Sequence, residues 1–217
     1  MKRSMVLVVA FALIFSSLAA PATAKKKKAK PVATTFFLHG NAPVGDLVEL
    51  GSNVAEGTVM TMDATEPTQP VPSSMGYSPP WGNAQCVGNP LFPSWEGKLA
   101  GKVVGDVKFM VNFAGPPGTA IARIWTDVPF SSCTSELAGV DAYVEPLAEV
   151  EVEVPAGQNE VEILFENINV KVAANMIVEI HNVQPTNLGR VLYDSPSFAS
   201  RLEFDCIPAS GKACVTP

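Results

Sequence analysis

Helix is the first thing this sequence lacks. Across 217 residues no run of ten combines a 3.6-residue apolar period with capping signals, which excludes helical bundles and folds built on crossover helices. Histidine is scarce, with two residues, and the four cysteines form no C-x-x-C pair, so zinc is poorly served and no metal or cofactor is expected. There is no G-x-S-x-G nucleophile elbow, no D-x-D-x-D-G calcium loop and no repeat of blade length. Positive charge is missing where a nucleic-acid binder needs it. Beyond residue 30 the chain carries eight Lys plus Arg against 21 Asp plus Glu, a net charge of −13, which argues against nucleic-acid partners.

What basic charge exists sits at the start. Lys2 and Arg3 precede an apolar run over 5–15, followed by small residues and Ala22-Thr23-Ala24, the layout of a cleavable secretory signal over 1–24. The run crosses Ser16 and Ser17, too short and too polar for a span of about 20 residues, so the mature chain is expected to have no membrane span. Lys25, Lys26, Lys27, Lys28 and Lys30 then form a disordered leader over 25–33, a solvated tail or one that adheres to anionic envelope polymers. Positive charge after an apolar segment opposes translocation, so an uncleaved anchor with the body in the cytoplasm is the competing reading. The cysteines favour export. Cys86, Cys133, Cys206 and Cys214 make an even count with three possible pairings. The turn residues Pro208, Ala209, Ser210 and Gly211 bring Cys206 to Cys214, which leaves Cys86 for Cys133.

The organising stretch is 149–165. Val150, Val152 and Val154 alternate with Glu149, Glu151 and Glu153; after turn residues at 155–159, Val161, Ile163 and Phe165 alternate again. Period-two patterning around a turn predicts a β-hairpin, wet on the glutamate side and packed on the valine side. Further strands are expected at 34–38, 58–62, about 95–113, 121–128, 176–181, 190–193 and 201–204. Between 64 and 95 lie seven prolines with Gly76, Gly82 and Gly88, a density that predicts one long loop without regular structure. Tyr77 and Trp81 sit inside it, placed either to stack on a sugar or to fold back on the sandwich edge. The pattern predicts an all-β fold, an antiparallel β-sandwich (jelly roll) of eight to ten strands, as a single domain over 34–217.

Two histidines are available for chemistry. His39 ends a strand in the run Phe37-Leu38-His39-Gly40-Asn41, a His-Gly pair of the kind that helps form hydrolase oxyanion holes, and it reads more simply as a strand-end residue. His181 ends another strand, upstream of Asp194, Glu203 and Asp205 and of Ser195, Ser197 and Ser200, from which a nucleophilic arrangement can be drawn. Its plainer reading is an edge histidine near surface carboxylates. Asp194, Glu203 and Asp205 also supply hard oxygen ligands for calcium, without a calcium loop around them.

From Trp95 onward the segments Gly105-Asp106-Val107-Lys108-Phe109, Ile124-Trp125-Thr126-Asp127-Val128, Val154-Pro155-Ala156-Gly157 and the run 172–180 resemble a galactose-binding-like jelly roll. They are similar to the C-terminal β-sandwich of X-prolyl dipeptidyl peptidases and cocaine-esterase-like hydrolases. The resemblance implies an accessory sandwich, with catalysis in a separate α/β-hydrolase domain that these residues do not encode. No catalytic residue carries over. The expectation is therefore a secreted, non-catalytic module that binds a glycan or an envelope protein, with Tyr77 and Trp81 as contacts. The alternatives are a secreted hydrolase using His181 with a loop serine or carboxylate, and a purely structural envelope protein.

Overall fold

A computed structural model describes residues 29–40, 60–76, 94–128, 145–182, 189–209 and 213–214. Among these the fold is all-β, with eleven strands: β1 (Val32–His39), β2 (Met60–Asp63), β3 (Ser73–Gly76), β4 (Ser94–Lys98), β5 (Gly101–Gly115), β6 (Gly118–Thr126), β7 (Ala148–Val154), β8 (Gly157–Val172), β9 (Asn175–Asn182), β10 (Arg190–Tyr193) and β11 (Arg201–Pro208). The β-sandwich is as expected, with more strands than the sequence pattern marks. β1 starts at Val32, inside the stretch read as leader, and β3 lies within the proline-rich stretch read as an unbroken loop. Its four residues pair with β10, so a strand too short for its own periodicity is fixed by a neighbour more than a hundred residues away.

Every neighbouring pair is antiparallel except β2 with β4. One layer centres on β5, flanked by β8 on one side and by β10 and β11 on the other, with β1 beyond β11. The other runs β4-β9-β6-β7. β2 joins them by pairing with both β1 and β4. Between the layers lie Phe36, Leu38, Trp95, Phe109, Phe113, Ile124, Ile163, Phe165, Val178 and Leu202, all buried. Each such side chain withdrawn from water contributes about 1.5–3 kcal/mol. Edge-to-face contacts orient the largest rings, Phe36 against Phe204 at 5.4 Å and Trp95 against Tyr193 at 5.6 Å between centroids.

The alternation at 149–165 is present, but the hairpin is not. Val150, Val152 and Val154 turn inward and Glu149, Glu151 and Glu153 stay exposed, yet β7 pairs with β6 while β8 pairs with β5. Pro155 and Ala156 thus carry the chain from one layer to the other, and the two apolar rows line opposite walls of the core. Period two fixes which face of a strand is buried and leaves its neighbour open. β8 also runs beyond Phe165 to Val172. Its phase slips at Glu166 and Asn167, a bulge in which two residues of β8 stand opposite Asp106 of β5 and the backbone N–H of Asn167 (φ 57°) donates to Asp106 Oδ1 at 2.9 Å. Ile168 and Val172 then face the core in the shifted register.

Two local devices close the β5 layer. Cys206 of β11 is disulfide-bonded to Cys214, and Ala100 N–H donates to the Cys214 carbonyl at 2.8 Å. A Cβ at Gly101 would lie 2.6 Å from Cys206 Sγ and 2.9 Å from Cys214 Sγ, so only glycine lets β5 run beneath the bridge. Cys86 and Cys133 lie outside the described residues. The second device is Ser200, at the point where the edge of β5 passes from β11 to β10. Its hydroxyl accepts the Asn112 N–H at 2.8 Å and donates to the Leu192 carbonyl at 2.7 Å, in a buried gap between the two ladders. Ser200→Ala is expected to strand both backbone groups and to destabilise the fold by about 1–3 kcal/mol. Urea unfolding of wild type and variant, at unchanged m-value, measures it.

Candidate functional site

His39 closes β1, and the end of β10 supplies its partner from 155 residues away. Asp194 adopts φ 65°, the left-handed region that a short polar side chain tolerates, and this turns its carboxylate back toward β1. His39 Nδ1 lies 2.8 Å from Asp194 Oδ1, and Gly40 N–H donates to Asp194 Oδ2 at 2.9 Å. On the opposite side of the ring, Nε2 faces the Thr65 carbonyl at 3.1 Å and Asp63 Oδ1 at 3.5 Å. The Asp194 backbone carbonyl accepts the Gln69 N–H at 3.2 Å. A Cβ at Gly40 would lie 2.5 Å from the Tyr193 ring, so glycine is needed for this corner to close.

The electrostatics follow from these contacts. The hydrogen bond to Asp194 holds the His39 pKa above the usual histidine range; burial works against it, and the charges of Asp194 and Asp63 reinforce it. Burial works to raise the Asp63 carboxyl, but hydrogen bonds from Thr65 and the nearby His39 outweigh it and hold its pKa below the ordinary value. Burial chiefly, and the Asp194 charge after it, push the Tyr193 phenol upward, so it stays neutral. In its charged form the ring donates one N–H to Asp194 and the other to the Thr65 carbonyl, and has no lone pair left for a substrate. The Gly40 N–H, which an oxyanion hole would offer to substrate, is spent on Asp194.

The second polar group lies on the outer face of the β4-β9-β6-β7 layer. Register aligns Ser94, Glu179, Arg123 and Glu149 in one row across the four strands. Ser94 Oγ donates to Glu179 Oε2 at 3.3 Å; the Arg123 guanidinium binds Glu149 and stands 3.9 Å from Glu179 Oε1. Glu179 is only 1% exposed, whereas Glu149 meets solvent, so the row runs from wet to dry with the cation between two carboxylates. His181, two residues along β9, is 3% exposed, with Nδ1 4.0 Å from Glu179 Oε1. Burial, helped by the Arg123 charge and opposed by Glu149, lowers its pKa to about 4, so the ring is neutral at physiological pH. Trp125 and Ile177 pack beside this row as a small apolar cluster separate from the main core.

The groupings drawn from sequence are therefore redistributed. Asp194 is not with His181 but with His39; Glu203 is paired to Arg201, which also reaches Glu160. Ser200 is committed to backbone and Ser195 is buried. Among the described residues no group of three or more His, Cys, Asp or Glu is arranged to hold a metal ion. No helix of the described residues is long and apolar enough to cross a membrane. Tyr77 and Trp81 lie outside the described residues. The His39–Asp194 pair had no local signal in the sequence. Glu179 had a faint one, a lone carboxylate in the otherwise apolar strand 176–180.

No family model matches the chain, and no curated protein matches it. Among solved structures, two of a CocE/NonD family hydrolase from Staphylococcus aureus are similar, at 10% identity and TM-score 0.48 and at 8% and 0.43. They cover 82% of this chain and 37% and 36% of their own. An aminopeptidase from the marine sediment archaeon Thaumarchaeota archaeon is similar at 10% identity and TM-score 0.42, over 80% of this chain and 36% of its own. The chain thus spans little more than a third of the structures it is similar to, and the hydrolases are of the kind its sequence motifs resemble.

Two outcomes test this site. Arg123→Met removes the guanidinium that lies between Glu149 and the buried Glu179, and a loss of about 3–5 kcal/mol is expected in denaturant titrations at pH 7. His181 has a folded pKa below its unfolded one, so its contribution is complete above about pH 6.5 and is lost as pH falls toward about 4. The stability difference between wild type and His181→Gln should shrink by about 3 kcal/mol over that window. A difference that stays flat with pH would show that the ring is not buried as a neutral group.

Proposed function

We propose that this chain is an exported, non-catalytic β-sandwich module that binds a glycan or a protein at the cell envelope or outside the cell. The observation that carries the reading is that both histidines are committed to the fold. His39 sits between acceptors at both ring nitrogens, and His181 is buried and neutral, so neither offers a base to an external substrate. The secretory layout of residues 1–24 and the even cysteine count support export. Sandwich modules carry their contacts on loops that a rigid frame presents. The proline-rich segment offers Tyr77 and Trp81 for that purpose, as flat apolar surfaces suited to sugar faces or to an interface.

Retention on immobilised polysaccharides, measured for wild type and for a Tyr77→Ala, Trp81→Ala double variant, tests the glycan form of the proposal. Retention that falls at least tenfold in the double variant is expected. Unchanged retention removes these residues as contacts. Turnover of ester, peptide or glycoside substrates that vanishes in His181→Ala would replace the proposal with a hydrolase.

A further inference from the structure

The corner at His39 ties together three segments far apart in sequence, and it does so with one proton more than a neutral imidazole carries. Asp194 Oδ1 lies at Nδ1, and the Thr65 carbonyl, an acceptor only, lies at Nε2. A neutral ring has a single N–H, so it satisfies one of these acceptors and turns a lone pair on the other. The charged ring satisfies both. The same carboxylate holds the Gly40 N–H, and the backbone carbonyl of Asp194 holds the Gln69 N–H. The end of β1, the segment 65–69 that follows β2, and the end of β10 are thus gathered on one histidine–aspartate pair.

We propose that His39 is the pin of a proton-operated latch, which fastens the β1–β2 corner to the end of β10 while the ring is charged and slackens when the ring loses its proton. The charges that act on the ring are Asp194, from the end of β10, and Asp63, from β2. Tyr193 packs on Gly40 as a neutral phenol, and Glu66, on the segment after β2, is exposed. The Asp63 side chain is 51% exposed, whereas Asp194 is buried. Loss of the proton therefore frees the Thr65 and Asp63 side first, where water can take over the lost contacts, and leaves the buried Asp194 contact for last. This inference concerns the scaffold and stands whatever ligand the module binds.

The linkage has a definite sign. A ring that binds its proton more tightly when latched than when open keeps the latch closed below the ordinary histidine value of about 6.5. Above that value the opening equilibrium rises about tenfold per pH unit and levels off beyond the raised pKa of the latched ring.

Amide hydrogen exchange resolved by residue reads this directly. After correction for intrinsic base catalysis, the Gln69 amide of the full chain is expected to lose protection above about pH 6.5, and the Gly40 amide, held by the buried Asp194 carboxylate, to follow it to a smaller extent. Phe109 and Val111 in β5 should not. His39→Asn should abolish the step. Asp63→Asn, which keeps a side-chain oxygen for the Thr65 N–H and removes the charge, should move its midpoint and the titration of the His39 ring protons to lower pH. A pH response shared equally by β5, or a step that persists in His39→Asn, would overturn the latch. An unmoved midpoint in Asp63→Asn would remove Asp63 from it.

Discussion

A single constraint governs this molecule: each strand must hide one row of side chains, and a lone sheet gives it nowhere to hide them. The chain answers by changing layers at nearly every connection between β4 and β9. Leu99 and Ala100, Pro116 and Pro117, Pro155 and Ala156, and Ala173 and Ala174 each carry it from one layer to the other. The last of these is held by Asp127, whose carboxylate accepts the N–H groups of Ala173 and Ala174 at 2.7–2.9 Å. Such connections face two sets of apolar side chains toward each other, whereas a hairpin would lay them side by side.

The polar clusters follow from the same frame. Because inward positions are filled with apolar groups, charge collects on outward rows and at strand ends. The Ser94, Glu179, Arg123 and Glu149 row crosses four strands on the outer face of one layer. His39, Asp63 and Asp194 meet where β1, β2 and β10 finish. Both arrangements spend their histidines on the scaffold, so the frame itself decides what chemistry these residues can offer.

The face each strand buries could be read from the sequence, but its neighbours could not. β10 was expected at 190–193 and lies there; the valine and glutamate rows of β7 point as their alternation predicts. The expected hairpin failed because alternation carries no information about which strand lies alongside. β8 was cut short at Phe165 because the Asn167 bulge shifts the phase of everything after it. β3 escaped because four residues such as Ser73–Gly76 hold no period of their own. The His39–Asp194 pair spans 155 residues, and nothing near either residue announces the other. Glu179 stands as a lone carboxylate in the strand 176–180, and its burial depends on neighbours that pattern alone does not specify.

The ladder between β1 and β11 joins Val32 to Cys206 and Phe37 to Arg201, so the opening strand of the sandwich has no main-chain partner along that edge until β11, well over a hundred residues further along, has been made. Local sequence cannot nucleate such a pairing. Its formation waits on closure of a loop of well over a hundred residues, the situation in which topology, more than side-chain chemistry, sets the pace. Docking of β1 on β11 accordingly comes late, and until then Phe36 and Leu38 of β1 lack part of the layer that covers them.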